Sequence, residues 1–289
     1  ARRFAREARV TAGLDHPHVV GVLDSGAATG APWIAYEYVA GGTLRDRIAS
    51  GPLPLAEAVE VVHQLALALG AAHAQGVLHR DVKPDNVLVG PDHVHKLTDF
   101  GLAWCAGSQT ITTRAGVVMG TPAYIAPEVV RGEPPVPEGD LYALAVMLHE
   151  LVVGRPPFEA GSIADLLRMH LEATPPPLSA MLSGVPDAME RFVTRGMAKQ
   201  PADRWQGADA FIEAREAAAQ GSGVRLRPRV AAPARAVGSS VGETIAVHAP
   251  ARIGATVVAD APHTGRPRAW LVAGTLIGLG VVAQLTPAR

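Results

Sequence analysis

The chain is poor in several things at once. Of 289 residues one is cysteine, 4% are aromatic, 18% are charged, and lysine occurs three times, at positions 83, 96 and 199. A single thiol, Cys105, excludes an intrachain disulfide, fits a reducing compartment, and reads as a structural thiol just beyond an Asp-Phe-Gly triplet. The formal net charge of −1 offers no broad cationic surface, so a nucleic-acid partner is not expected. No secretory signal precedes the first helical pattern. Abundant alanine, glycine and proline fill the space, and the length allows one large or two modest domains with extensions.

One stretch carries the chemistry: LHRDVKPDNVLVGPDHVHKLTDFGLA, from Leu78 to Ala103. Two apolar runs, Val87–Val89 and Val94–Leu97, read as short strands of a hairpin turning at Gly90-Pro91-Asp92. A hairpin brings its ends together. The loop bearing Asp81, Lys83 and Asn86 should therefore lie beside Asp99, giving two carboxylates, an amide and an ammonium at the mouth of a rigid element. Hard oxygen donors suit Mg²⁺ shared with phosphate, and an ammonium can neutralise phosphate charge.

His-Arg-Asp and Asp-Phe-Gly in this order, with Asn86 five residues after Asp81, resemble the catalytic core of protein kinases; these triplets and roles are a worked template of that family. GTPAYIAPE (Gly120–Glu128) and GDLYALAVMLHELVVGRPPF (Gly139–Phe158) extend the likeness, and RDVKPDN resembles the Ser/Thr-specific branch. The resemblance covers Ala1 to about Ala218. It implies an α+β, bilobal fold: 1–40 the remnant of the small lobe and hinge, 41–220 a mainly helical large lobe. It implies ATP with Mg²⁺ (or Mn²⁺) as cofactors and protein Ser/Thr hydroxyls as acceptors. By it, Asp81 orients the hydroxyl, Lys83 stabilises the transferring phosphoryl, and Asn86 and Asp99 hold the metal. Glu7 matches the helix glutamate that pairs with an ATP-contacting lysine. Tyr36 takes the gatekeeper position, with backbone groups of Glu37 and Val39 on the adenine and Asp46 near the ribose; a surface charge in a first helical turn is an equal reading of Asp46. Arg80 is expected to pair with a phosphorylated residue, Thr112 or Thr113, because a phosphate adds about −1.5 to −2 charges that an arginine can order. Thr121 supports the catalytic loop, Asp140 holds that loop's backbone, and Arg204 pairs with Glu128.

The remaining pattern is read from periodicity. Residues 2–14 and 55–75 are expected helices, the second buried; Pro32–Val39 is an expected strand; Thr43 should cap a helix from Leu44; and Leu141–Val153 should end at Gly154. Histidines 16 and 18 sit in a loop with no further ligand nearby, so a metal there is not expected. The family's Gly-rich loop and strand lysine have no counterpart in this sequence. Two readings follow: a piece of an active kinase, weakly active or inactive as it stands, or a kinase-like binding scaffold. The presence of Asp81, Asn86 and Asp99 favours the first. A small-molecule phosphotransferase would not explain GTPAYIAPE. Residues 221–268 read as a disordered linker. Residues 269–287, uncharged and about as long as a span requires, read as one transmembrane helix at the cell membrane with the kinase cytoplasmic; Gly274 and Gly278 offer a homodimer contact.

Overall fold

The computed structural model describes residues 13–28, 31–100 and 122–220, and the backbone of strands at 244–248, 255–260 and 269–274. The chain divides into two compact units, one of Ala1–Asp15, Val20–Val39 and Val230–Arg289, the other of His16–Val19 and Ala40–Arg229.

The first unit holds a five-stranded antiparallel sheet. Strands β1 (Val22–Ala28) and β2 (Ala31–Tyr36) form a hairpin with Ile34 opposite Ser25, and the last strand of the chain pairs on β2 with Ala35 opposite Val272. Tyr36 closes β2, three residues before the end of the strand expected from sequence.

In the second unit α1 (Leu44–Ala49) begins where expected. Thr43 Oγ1 accepts from the Asp46 N–H, and the Asp46 carboxylate accepts from the Thr43 N–H, a reciprocal capping box. The long helix α2 (Leu55–His73) ends two residues before the expected stop, and Gly76 at φ 72° takes the left-handed turn after it. It is long and apolar enough to cross a membrane, but it is mostly buried and serves as the central helix of the unit.

Strands β3 (Val87–Val89) and β4 (His95–Leu97) form the expected hairpin, with Leu88 opposite Lys96. Gly41 and Gly42 pair along β3: the Gly41 N–H donates to Val89 O at 3.0 Å and the Val89 N–H to Gly42 O at 2.9 Å. A Cβ at position 41 would lie 2.2 Å from Val89 O, so only glycine permits this approach.

Helices α3 (Pro127–Val130) and α4 (Pro137–Val153) follow. Proline at the first position lets α4 begin four residues before the expected Leu141, and Gly154 at φ 86° ends it where expected. Every residue from Asp140 to Val152 is buried, so α4 is the core against which α2 and the helix Asp187–Gly196 pack. Helices α5 (Ile163–Glu172), α6 (Asp187–Gly196) and α7 (Ala208–Gln220) complete the unit, whose helices end at the expected boundary.

In the tail, Thr244–His248 (β5) and Ala255–Asp260 (β6) are strands within 221–268, and Ala269–Gly274 (β7) is a strand at the start of 269–287. A short apolar run suits either form, and here the backbone groups of β7 are satisfied by pairing with β2 and β6. The rest of 269–287, including Gly278, lies outside the described residues.

Candidate active site

The second unit assembles the predicted residues through backbone geometry. Asp140, buried at the first turn of α4, accepts from three donors: the His79 N–H at 2.9 Å, the Arg80 N–H at 2.8 Å and His73 Nε2 at 2.8 Å. Its expected role as a clamp on the loop backbone is thus its observed one. The clamp holds a conformation that a free chain avoids, since Arg80 sits at φ 68°. Such a conformation costs on the order of 1–3 kcal/mol and persists only where its surroundings over-determine it.

His79 is fully buried and links the two catalytic segments. Its Nε2 faces the Thr98 carbonyl at 2.8 Å and must carry the proton. That leaves Nδ1 to accept from the Asp81 N–H at 3.2 Å, and the ring packs against Phe100 at 4.7 Å. One tautomer therefore sets both Asp81 and the approach to Asp99. Sequence reading gave His79 no role, although its place beside Arg80 and Asp81 was the available signal.

Asp81 and Lys83 meet directly, with Nζ 2.7 Å from Oδ2. Asn86 Nδ2 donates to the same Oδ2 at 3.0 Å and to the Asp81 carbonyl at 2.8 Å. These bonds orient the side chains: Oδ2 of Asp81 is occupied, Oδ1 is left to accept a proton, and the Asn86 oxygen is left to coordinate. The Thr98 N–H donates to Asn86 O at 2.9 Å, fixing the next residue, Asp99, beside the loop as the hairpin argument requires. Asp99 is at φ 62°, a second strained residue at the chemistry. Burial raises its carboxyl above the usual range and the Asp81 carboxylate adds to this, while His79 and Lys83 oppose it.

A cation beside Asp99 would relieve that cost. Asp99 and the Asn86 oxygen are hard donors, and a nucleotide-bound Mg²⁺ needs only one or two protein ligands besides phosphate and water.

Other predicted residues fall as follows. Arg204 and Glu128 are fully buried and bidentate, at 2.6 and 2.9 Å. Arg204 also donates to the carbonyls of Ala198, Glu138 and Lys199, so all five of its N–H groups are used. Asp46 is the acid of the α1 cap, and its bonds with Thr43 hold its carboxyl below the usual range. In the first unit, the Glu37 N–H pairs with Gly21 O and its carboxylate accepts from the Gly21 N–H, each at 2.8 Å. Val39, the other residue expected at the adenine, is half-buried. Glu7, Cys105, Thr112, Thr113 and Thr121 lie outside the described residues.

A further network was not anticipated. Arg45 of α1 donates to Glu150 at 2.6 Å and to the Tyr124 hydroxyl at 2.5 Å, and its Nε lies 3.3 Å from Asp85 in the catalytic loop. The Tyr124 hydroxyl donates in turn to Glu150, and burial, then that carboxylate, pushes its pKa well up. The signal was Glu150 itself, a carboxylate in the largely apolar run of α4, which burial obliges to find partners.

Residues 1–215 match the model of the protein kinase domain family. The chain belongs to that family. Among its curated relatives are serine/threonine-protein kinase PknH of Mycobacterium tuberculosis, 41% identical over 74% of this chain and 34% of the relative, and serine/threonine-protein kinase pkn3 of Myxococcus xanthus, 41% identical over 82% of this chain and 45% of the relative. PrkC of Bacillus subtilis is 38% identical over 72% of this chain and 32% of the relative. The chain thus spans less than half the length of these bacterial serine/threonine kinases.

Proposed function

We propose that this chain is the catalytic part of a bacterial Ser/Thr protein kinase that transfers the ATP γ-phosphoryl group to protein hydroxyls. The observation that carries the reading is the assembly of Asp81, Lys83, Asn86 and Asp99 on one loop and hairpin, through the side-chain bonds of Lys83 and Asn86 to Asp81 and the backbone bond from Thr98 to Asn86. Asp81 Oδ1 accepts the proton of the attacking hydroxyl. Lys83, held by Asp81, meets the charge of the moving phosphoryl. Asn86 and Asp99 are the residues to hold Mg²⁺, which when bound supplies charge neutralisation on the phosphates. Little covalent work falls to the protein, so positioning and electrostatics carry the rate.

Arg80 is exposed in the described structure, and we assign it to a phosphate on Thr112 or Thr113. Residues 269–287 are proposed as a single membrane anchor, with Gly274 and Gly278 as a pairing surface. The support is an uncharged stretch between Arg268 and Arg289; the strand Ala269–Gly274 is the competing use of the same residues, and alkaline extraction separates them. An anchored chain stays with the membrane pellet, whereas a strand-only chain is released.

The test of the function is transfer of labelled phosphate from ATP by the full gene product, followed by acid hydrolysis of the labelled protein. Phosphoserine and phosphothreonine are expected, including Thr112 or Thr113. Label on tyrosine alone, or on a small molecule in place of protein, would contradict the reading.

A further inference from the structure

Four of the chain's eleven histidines meet in one place in the second unit: His16 and His18 on the short segment His16–Val19, and His93 and His95 on the turn and second strand of the β3–β4 hairpin. The segment runs beside β4. Val19 and Leu97 form a parallel bridge, and the Leu97 N–H donates to His18 O at 2.9 Å. Leu97 lies two residues from Asp99, so what holds β4 also holds the approach to the metal-binding carboxylate.

The ring bonds define one neutral state. His18 Nδ1 faces the His95 carbonyl at 3.0 Å and must donate. His16 Nδ1 lies 3.2 Å from the His18 N–H and must accept. His95 Nδ1 and its backbone N–H both face Gln64 Oε1, at 3.2 and 2.8 Å, so this ring nitrogen too carries its proton. Gln64 also donates to the His93 carbonyl at 3.1 Å and to Glu60 at 3.2 Å. Among the charged and titratable groups set against the half-buried His18 ring and the buried His95 ring are His16 on their own segment, His93 and Lys96 on the hairpin, and Glu60, reached through Gln64, on α2. A second proton on His18 or His95 would bring positive charge among other imidazoles and a lysine.

We propose that these histidines form an acid-sensitive clasp, closed at neutral pH, that holds the segment His16–Val19 to the hairpin carrying Asp99 and loosens on acidification. The directions of titration agree. Burial lowers the His95 pKa to about 4, helped by His18 and His93. Burial also lowers that of His18, with Lys96 adding and the His95 carbonyl opposing. Both are depressed below the value of an open chain. The clasp's stability is thus fully present above about pH 6.5 and is lost as pH falls toward 4.

The inference does not depend on phosphoryl transfer, and neither does its test. Amide exchange of the Leu97 N–H is measured in the whole chain near pH 7.5 and near pH 5, each corrected for the intrinsic exchange rate. It is set beside amides in the middle of α4, and the same is done for a His18→Asn/His95→Asn variant. Asparagine keeps an N–H where Nδ1–H stood but does not titrate. In the unaltered chain, protection of Leu97 is expected to fall about tenfold or more at the lower pH while α4 holds. The variant should show no such fall. Equal protection of Leu97 at both pH values, or an equal loss in the variant, would overturn the clasp. If the double variant does not fold, the single His18→Asn chain decides, with a reduced fall expected and an unchanged one contradicting.

Discussion

Replacing Arg204 by methionine is expected to destabilise the helical unit by about 3–5 kcal/mol, because it strands the Glu128 carboxylate in the core. Both side chains are fully buried, and Arg204 joins α3, the start of α4 and the turn at Ala198–Lys199 through all five of its donors. For a unit of this size the loss corresponds to a fall in Tm of about 10 °C, measured by calorimetry or circular dichroism. The partner change discriminates the cause. Arg204→Met/Glu128→Leu removes the stranded charge with its counter-ion and should recover part of the loss, since an ion pair and an apolar pair of similar volume differ far less than a pair and its half. Equal or greater instability of the double variant would mean that the carbonyl bonds of Arg204, not the ion pair, hold this corner.

The second large effect falls on catalysis. Asp81→Asn is expected to lower kcat by about 10²–10⁴ while leaving the KM for ATP within a few-fold. Asparagine keeps the shape of the aspartate, and its oxygen can still accept from Lys83 and Asn86. It cannot take the hydroxyl proton. The split between kcat and KM is what separates proton acceptance from nucleotide binding. A variant that loses ATP affinity with kcat intact would move Asp81 into the binding site and away from the chemistry.

Much of the site was legible because its logic is local. Asp81, Lys83 and Asn86 lie within six residues, and a strand–turn–strand pattern is enough to bring Asp99 to them. The caps of α1 and the stop of α4 at Gly154 were legible for the same reason, as each depends on a few neighbouring residues. The partners that lie far along the chain were harder. His73 reaches Asp140 across 67 residues and Arg45 reaches Glu150 across 105, and nothing near either end names the other. The pairing of Arg204 with Glu128 was equally distant and came only from the family resemblance. His16 and His18 looked like an ordinary loop, because His93 and His95 join them only through the fold. At the tail, apolarity alone could not choose between a strand paired to β2 and a spanning helix, since each satisfies the backbone in its own way.

Asp99, beside Asp81 and Asn86, is proposed to serve Mg²⁺-dependent phosphoryl transfer from ATP to protein. The most direct measurement is label transfer from γ-labelled ATP by the full gene product and by its Asp99→Asn variant, with and without Mg²⁺, after both have shown the same thermal transition. Label on Ser or Thr is expected from the unaltered protein with Mg²⁺, and background from the variant and from the metal-free sample. Equal labelling by the Asp99→Asn protein, or transfer that ignores Mg²⁺, would contradict this role.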